Sequence, residues 1–128
     1  RSCGPRAVVK QEAVMKKCLF EQGDIIWLDM DPSIGREARK RRPALIVSNR
    51  FVNQTGMYFI CPITSREKKY FPTRIALDER TEIQGYIETD QLMSRDLEAR
   101  KAEKKEECPA DILEDVIQTI TELIARNL

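Results

Sequence analysis

Ile25-Ile26-Trp27-Leu28 and Ala44-Leu45-Ile46-Val47 flank the stretch Gly35-Arg36-Glu37-Ala38-Arg39-Lys40-Arg41-Arg42-Pro43. Both flanking runs are dense in β-branched, aromatic and large aliphatic residues. Such residues suit a pleated, half-buried surface, so both runs read as strands. The stretch between them is then a loop presented by a rigid sheet, where binding and chemistry concentrate. It gathers Arg36, Arg39, Lys40, Arg41 and Arg42 about a single carboxylate, Glu37. Two readings follow: a site for phosphate, with a nucleic-acid backbone as its natural source, or a solvated basic loop, the ordinary meaning of a charge run.

At 128 residues, 41% hydrophobic and 34% charged, the chain reads as one globular domain with one real core. Net charge is only +1, so affinity for a polyanion must come from local segregation of charge. That segregation exists: 36–42 is basic, whereas 78–90 and 111–122 lean acidic. The four cysteines (Cys3, Cys18, Cys61 and Cys108) form no Cys-x-x-Cys pair, and there is no histidine. This argues against a zinc site built from Cys and His. It also rules out Ser-His-Asp, Cys-His and two-histidine RNA-cleaving chemistry. Acid–base work must fall to carboxylates, Arg, Lys, Tyr, hydroxyls or the substrate itself. No secretory signal is evident and no apolar run approaches membrane-spanning length. Reduced thiols and a cytoplasmic location are therefore expected.

Residues 1–18 read as a leader or vector-derived flexible segment, with Met15 a candidate start, ahead of a domain over 19–128. Strands are expected over 25–30, 44–48, 57–61, 73–77 and 86–89. Proline is expected to stop the third at Pro62, because it cannot donate to a ladder, and Gly23, Gly56 and Gly85 mark turns. Short strands punctuated by Gly and Pro suggest a small barrel or sandwich. By composition 97–107 is an exposed helix with i,i+4 ion pairs; a lysine-bearing edge strand is the rival. Pro109 suits the first position of a helix. Ile112, Leu113, Val116, Ile117, Ile120, Leu123 and Ile124 then recur at helical spacing, a stripe for core packing or subunit contact.

Taken in order, several stretches resemble one family. Gly23-Asp24-Ile25-Ile26-Trp27-Leu28-Asp29-Met30-Asp31-Pro32 looks like its first strand. Gly35-x-Glu37 and Arg42-Pro43-Ala44-Leu45-Ile46-Val47 look like its active loop and second strand. Asn53-x-Thr55-Gly56, Cys61-Pro62-Ile63-Thr64-Ser65, Asp90-Gln91-x-x-Ser94 and Ala99-Arg100-Lys101-Ala102-Glu103-Lys104-Lys105 follow, then a terminal helix. The chain thus resembles the MazF/PemK toxins of bacterial toxin–antitoxin systems over about 21–124. The resemblance implies a mostly β fold, an SH3-like small β-barrel with a C-terminal α-helix. It implies a homodimer and a metal-independent endoribonuclease, without cofactor, acting on single-stranded mRNA and arresting growth. It also implies a cognate antitoxin whose extended segment covers the RNA groove. For 97–107 it favours a short helical turn leading into an edge strand.

RNA carries its own nucleophile, the 2′-hydroxyl, and in-line attack would leave a 2′,3′-cyclic phosphate (or 3′-phosphate) and a 5′-hydroxyl. Arg42 is the first candidate, since its fork of donors matches phosphate oxygens and it stays charged at any relevant pH. Glu37 is either a base or a partner that holds Arg39 or Arg41. An exposed glutamate with a pKa of about 4.3 is a weak base unless its site raises that value. Thr64 corresponds to a family hydroxyl in the same pocket, with Ser65 as a substitute. Arg36, Arg39, Lys40, Arg41, Lys68 and Lys69 are candidate backbone contacts. Asp90 and Gln91 match a family position for cleavage or base reading.

The chain departs from the family pattern at two points. Arg36 stands where some relatives carry a histidine, and Glu88 where some carry a basic residue, so schemes using those groups do not transfer. Trp27 reads as core; Tyr70 or Phe71 could stack a base. A DNA gyrase poison on a similar barrel and a non-catalytic RNA-binding regulator are the competing functions.

Overall fold

The computed structural model describes residues 17–30, 41–66 and 72–127. Within them are strands β1 (Asp24–Asp29), β2 (Arg41–Ile46), β3 (Met57–Thr64), β4 (Arg74–Ala76), β5 (Tyr86–Glu88), β6 (Met93–Asp96) and β7 (Glu103–Glu107). A short helix α1 (Arg50–Asn53) joins β2 to β3, and the helix α2 (Ala110–Leu123) follows β7. The strands form one seven-stranded sheet in the order β4-β5-β3-β2-β1-β7, with β6 also on β3. Every pairing is antiparallel. The fold is mostly β with a C-terminal helix, as expected.

The two apolar runs that anchor the sequence are continuous rather than alternating because the sheet is covered on both faces. Successive residues of a strand point to opposite sides. Ile25 of β1, Leu45 of β2, and Cys61 and Ile63 of β3 join one cluster, onto which α2 lays Ile112 and Val116. Ile26, Leu28, Ala44, Ile46, Tyr58 and Ile60 join the other with Phe20 and Leu97. Phe20 meets Tyr58 edge-on, ring centroids 5.9 Å apart. Burying a Leu or Ile side chain is worth roughly 1.5–3 kcal/mol, so the two-sided burial of β1 and β2 makes them the rigid centre of the molecule. Among the described residues, no helix is long and apolar enough to cross a membrane.

Local proline rules misplace two strand ends. β3 does not stop at Pro62 but continues to Thr64. Pro62 is registered with Ala44 of β2 on one edge. On its other edge it falls in a gap, after Ile60, the last residue paired with β6, and before Ile63, the first paired with β5. No ladder there calls for its missing N–H. β2 likewise begins at Arg41 rather than at 44, with Pro43 opposite Trp27 and ahead of the β2–β3 ladder, which starts at Ala44. Strand β6 was not expected at all. Region 97–107 resolves into a turn and the edge strand β7 against β1, so tertiary pairing overrides helix-favouring composition.

The ends of the strand path are laced together. The Glu106 carboxylate on β7 accepts the backbone N–H groups of Glu82 and Ile83, at 3.0 and 2.8 Å, in the β4–β5 connection. Lys105 meets Glu82 at 2.6 Å. The β4–β5 connection is thereby drawn up beside the start of β2.

Candidate functional site

Arg41 and Arg42 open β2. Arg41 lies directly across from Asp29 in the β1–β2 register, where side chains of facing residues meet. Its Nη1 donates to Asp29 Oδ1 at 2.7 Å. Its Nη2 donates to the Lys101 carbonyl at 3.0 Å and reaches the Glu103 carboxylate at 3.4 Å. One guanidinium therefore ties β1, β2 and the approach to β7 into a single corner. Arg42, the next residue, is exposed and lines a cleft of about 490 Å³ with Trp27, Pro43, Thr64, Ser65 and Arg66. Glu82, Ile83 and Gln84 of the β4–β5 connection form the opposite wall.

A second cavity of about 320 Å³ shares Arg42, Thr64 and Arg66 with the first and adds Arg74 and Glu88. The two adjoin at the arginine and the threonine. Arg74 is nearly buried, its side chain 8% exposed, and its Nη2 lies 2.6 Å from Glu88 Oε2. These residues face each other in the β4–β5 register. Arg74 Nη1 also donates to the Arg66 carbonyl at 2.6 Å. Among the described residues, Arg42, Arg66 and Arg74, with the Asp29-paired Arg41, stand against Glu82 and Glu88 along the combined groove, a local basic bias in a chain of nearly zero net charge.

Thr64 ends β3 and is half-buried. Its hydroxyl accepts the Arg66 N–H at 3.2 Å, a local turn bond of the kind hydroxyls form. Gly85 presses on it from behind. At φ +135°, it sits where a Cβ would come within 2.4 Å of the Thr64 carbonyl oxygen. Only glycine allows that backbone conformation and that approach together.

The two buried thiols, Cys61 and Cys108, offer no nucleophile. Burial raises Cys61 to about 12, helped by the negative charge of Asp90, and raises Cys108 to about 11. A thiol so placed stays protonated and inert.

Of the residues singled out in the sequence, the structure brings together Arg41, Arg42, Thr64 and Ser65. Asp90 and Gln91 are exposed on a 3-10 turn, Thr89–Gln91, and line neither cavity. Arg36, Glu37, Arg39, Lys40, Lys68 and Lys69, and the aromatics Tyr70 and Phe71, lie outside the described residues. The groove also contains residues that sequence reasoning passed over. Trp27 packs against the core as expected, yet it is half-buried and also forms cleft wall. Arg66 and Arg74 were not singled out, and Glu88 was named only as a departure from the family pattern; Arg74 and Glu88 meet through the β4–β5 register, where facing side chains interact.

Residues 21–124 match the model of the family described as PemK-like, MazF-like toxin of type II toxin–antitoxin system. The chain is 32% identical over 108 residues to the endoribonuclease toxin ChpB of Escherichia coli, a match covering 81% of this chain and 93% of that protein. It is 38% identical over 86 residues to the E. coli endoribonuclease toxin MazF, covering 66% of this chain and 76% of that protein. Among solved structures, a MazE–MazF crystal form from Deinococcus radiodurans superposes with a TM-score of 0.75 at 33% identity, covering 85% of this chain and 99% of that one. With nearly the whole described domain inside the family match, the chain belongs to the PemK-like, MazF-like toxins of type II toxin–antitoxin systems.

Proposed function

We propose that this chain is an endoribonuclease toxin that cuts single-stranded RNA, mRNA above all, at a short sequence and so halts translation. The observation that carries the reading is the convergence of Arg42 and Thr64, from separate strands, on one basic groove. Cleavage needs a proton taken from the 2′-oxygen, charge neutralised on phosphorus, and a proton for the departing 5′-oxygen. Arg42 faces the non-bridging oxygens of the scissile phosphate, where charge grows as the 2′-oxygen attacks. The Thr64 hydroxyl bonds the same phosphate. Glu37 takes the proton or holds the loop that delivers Arg42. Arg36, Arg39, Lys40, Lys68 and Lys69 track the backbone, and Ser65, Asp90 and Gln91 contact nucleotides. Arg41, engaged by Asp29, anchors the corner as much as it meets RNA.

The same reading takes residues 19–128 as the toxin domain after a leader, the sheet as an SH3-like barrel closed where Glu106 meets the β4–β5 connection, and the active form as a cytoplasmic homodimer. The relatives solved as MazE–MazF complexes support a cognate antitoxin, and in this reading its extended segment covers the groove. The test is incubation of a long transcript with the protein in EDTA, followed by mapping of the ends. Discrete cuts with 5′-hydroxyl ends are expected; intact RNA, or ends bearing a 5′-phosphate, would remove the proposal.

A further inference from the structure

We infer that the smaller cavity is a second phosphate subsite, and that Arg74, docked on Glu88, is its positioning cation. The inference rests on the reading of the groove as an RNA site and goes beyond it. It assigns the neighbouring phosphodiester to a place and a residue. Arg74 comes from a strand that carries none of the proposed cleaving groups, yet it lines the same cavity as Arg42 and Thr64. Its side chain is 8% exposed, so it is a fixed wall group rather than a solvated surface arginine. Among the described residues, the Glu88 carboxylate at 2.6 Å on Nη2 and the Arg66 carbonyl at 2.6 Å on Nη1 hold it. A guanidinium held this way is pre-organised, and little side-chain freedom remains to be lost on binding an anion.

The charge of the cavity sets what it takes. Among the described residues, Arg42, Arg66 and Arg74 face the Glu88 carboxylate, a balance of charge that a phosphodiester complements. Glu88 has two opposed effects. It orients Arg74, and it competes with the phosphate for the same donors. A phosphate seated beside Arg74 while its neighbour lies against Arg42 would fix the register of the strand, so that the bond at Arg42 is the one presented for attack.

Binding is measured with a single-stranded RNA that spans a mapped cut and carries a 2′-deoxy sugar at that cut, across a range of salt concentrations. Arg74→Gln should weaken binding severalfold and lower the slope of log K against log salt by about one, the mark of one lost phosphate contact. Arg74→Lys should restore most of the slope, because the charge returns without the fork. A slope unchanged in the folded Arg74→Gln variant, or equally reduced in Arg74→Lys, overturns the inference. Should Arg74→Gln fail to fold, Glu88→Gln decides. It keeps an amide oxygen that accepts from Arg74, so the orientation persists while the competing charge is gone, and binding should tighten at moderate salt; unchanged or weaker binding overturns the subsite. The two readings fail separately. Arg42→Ala that still cuts sinks the cleavage proposal, whereas an inactive Arg42→Ala beside an unaltered Arg74→Gln sinks only the subsite.

Discussion

The guanidinium of Arg41 closes on Asp29 at 2.7 Å, and the carboxylate it meets is fully buried while the arginine is one-third exposed. The pair joins the end of β1 to the start of β2 one residue before Arg42. Its energetics are asymmetric. Arg41→Ala leaves a buried carboxylate without that cation and should cost about 2–4 kcal/mol of unfolding free energy, at the low side of a fully buried pair because water reaches the arginine. Asp29→Asn leaves an arginine that can turn to solvent and Glu103, and should cost about 1–2 kcal/mol. Denaturant unfolding checks the order; equal losses would deny the burial asymmetry its role.

Arg42 contributes to no packing cluster and is exposed. Arg42→Ala should therefore leave the melting temperature close to that of the parent while lowering the cutting rate about a hundredfold or more, the usual loss for a donor aimed at developing charge. Arg42→Lys keeps the charge and loses the bidentate fork, so an intermediate rate is expected. Initial rates on one defined transcript, alongside thermal unfolding, separate the two effects. A folded Arg42→Ala protein that cuts normally would end the assignment.

Gly85 tests whether Thr64 must sit where it does. An alanine there meets the Thr64 carbonyl at 2.4 Å from a backbone conformation that side chains rarely adopt. Gly85→Ala should destabilise the domain by about 1–3 kcal/mol. It should also lower cutting more than stability alone explains, because the residue displaced is Thr64. Thr64→Val, which removes the hydroxyl at nearly constant shape, should lower cutting without comparable destabilisation, and Thr64→Ser should restore part of it. Normal cutting by Thr64→Val would free the hydroxyl of any part in the reaction.

The sequence revealed the parts of this molecule whose cause is local. β1 and the body of β2 are dense in large apolar residues and were legible as strands. α2 followed from the spacing of Ile112, Val116 and Ile120 and from Pro109 ahead of it. What escaped depends on partners distant in sequence. Met93-Ser94-Arg95-Asp96 is short and polar and becomes a strand only because Met57–Ile60 of β3 lies beside it. Glu103–Glu107 has the composition of an exposed helix, and its edge strand against β1 was legible only through the family resemblance, which favoured it. Pro62 looked like a stop because the gap between β6 and β5 is a property of the sheet, not of the tripeptide around it. The site divides the same way. Arg42 and Thr64 were reached through their resemblance to a family pattern, whereas Arg74 and Glu88 become visible only once β4 and β5 are in register.

One acid-sensitive contact lies away from the groove, while Glu82 in the cleft wall is also held low, by its hydrogen bond from Lys105. Arg80 donates to Asp78 at 2.8 Å and to Asp111 at 2.9 Å, clasping the start of the β4–β5 connection to the first turn of α2. The hydrogen bonds from Arg80 hold both carboxyls below the usual carboxylate range. Groups whose folded pKa is depressed stabilise the native state above their unfolded pKa, near about 4, and lose that contribution as pH falls through the folded value. The melting temperature of the parent should therefore hold from neutrality to about pH 5 and decline below it. Arg80→Gln should melt lower at neutral pH, and its deficit should shrink as the medium is acidified, because both aspartates are then protonated in either protein. Salt should narrow the deficit too, since all three side chains are open to water and their attraction is screened. A deficit that stays constant from pH 7 to pH 3 would mean that Arg80 acts by packing rather than by charge.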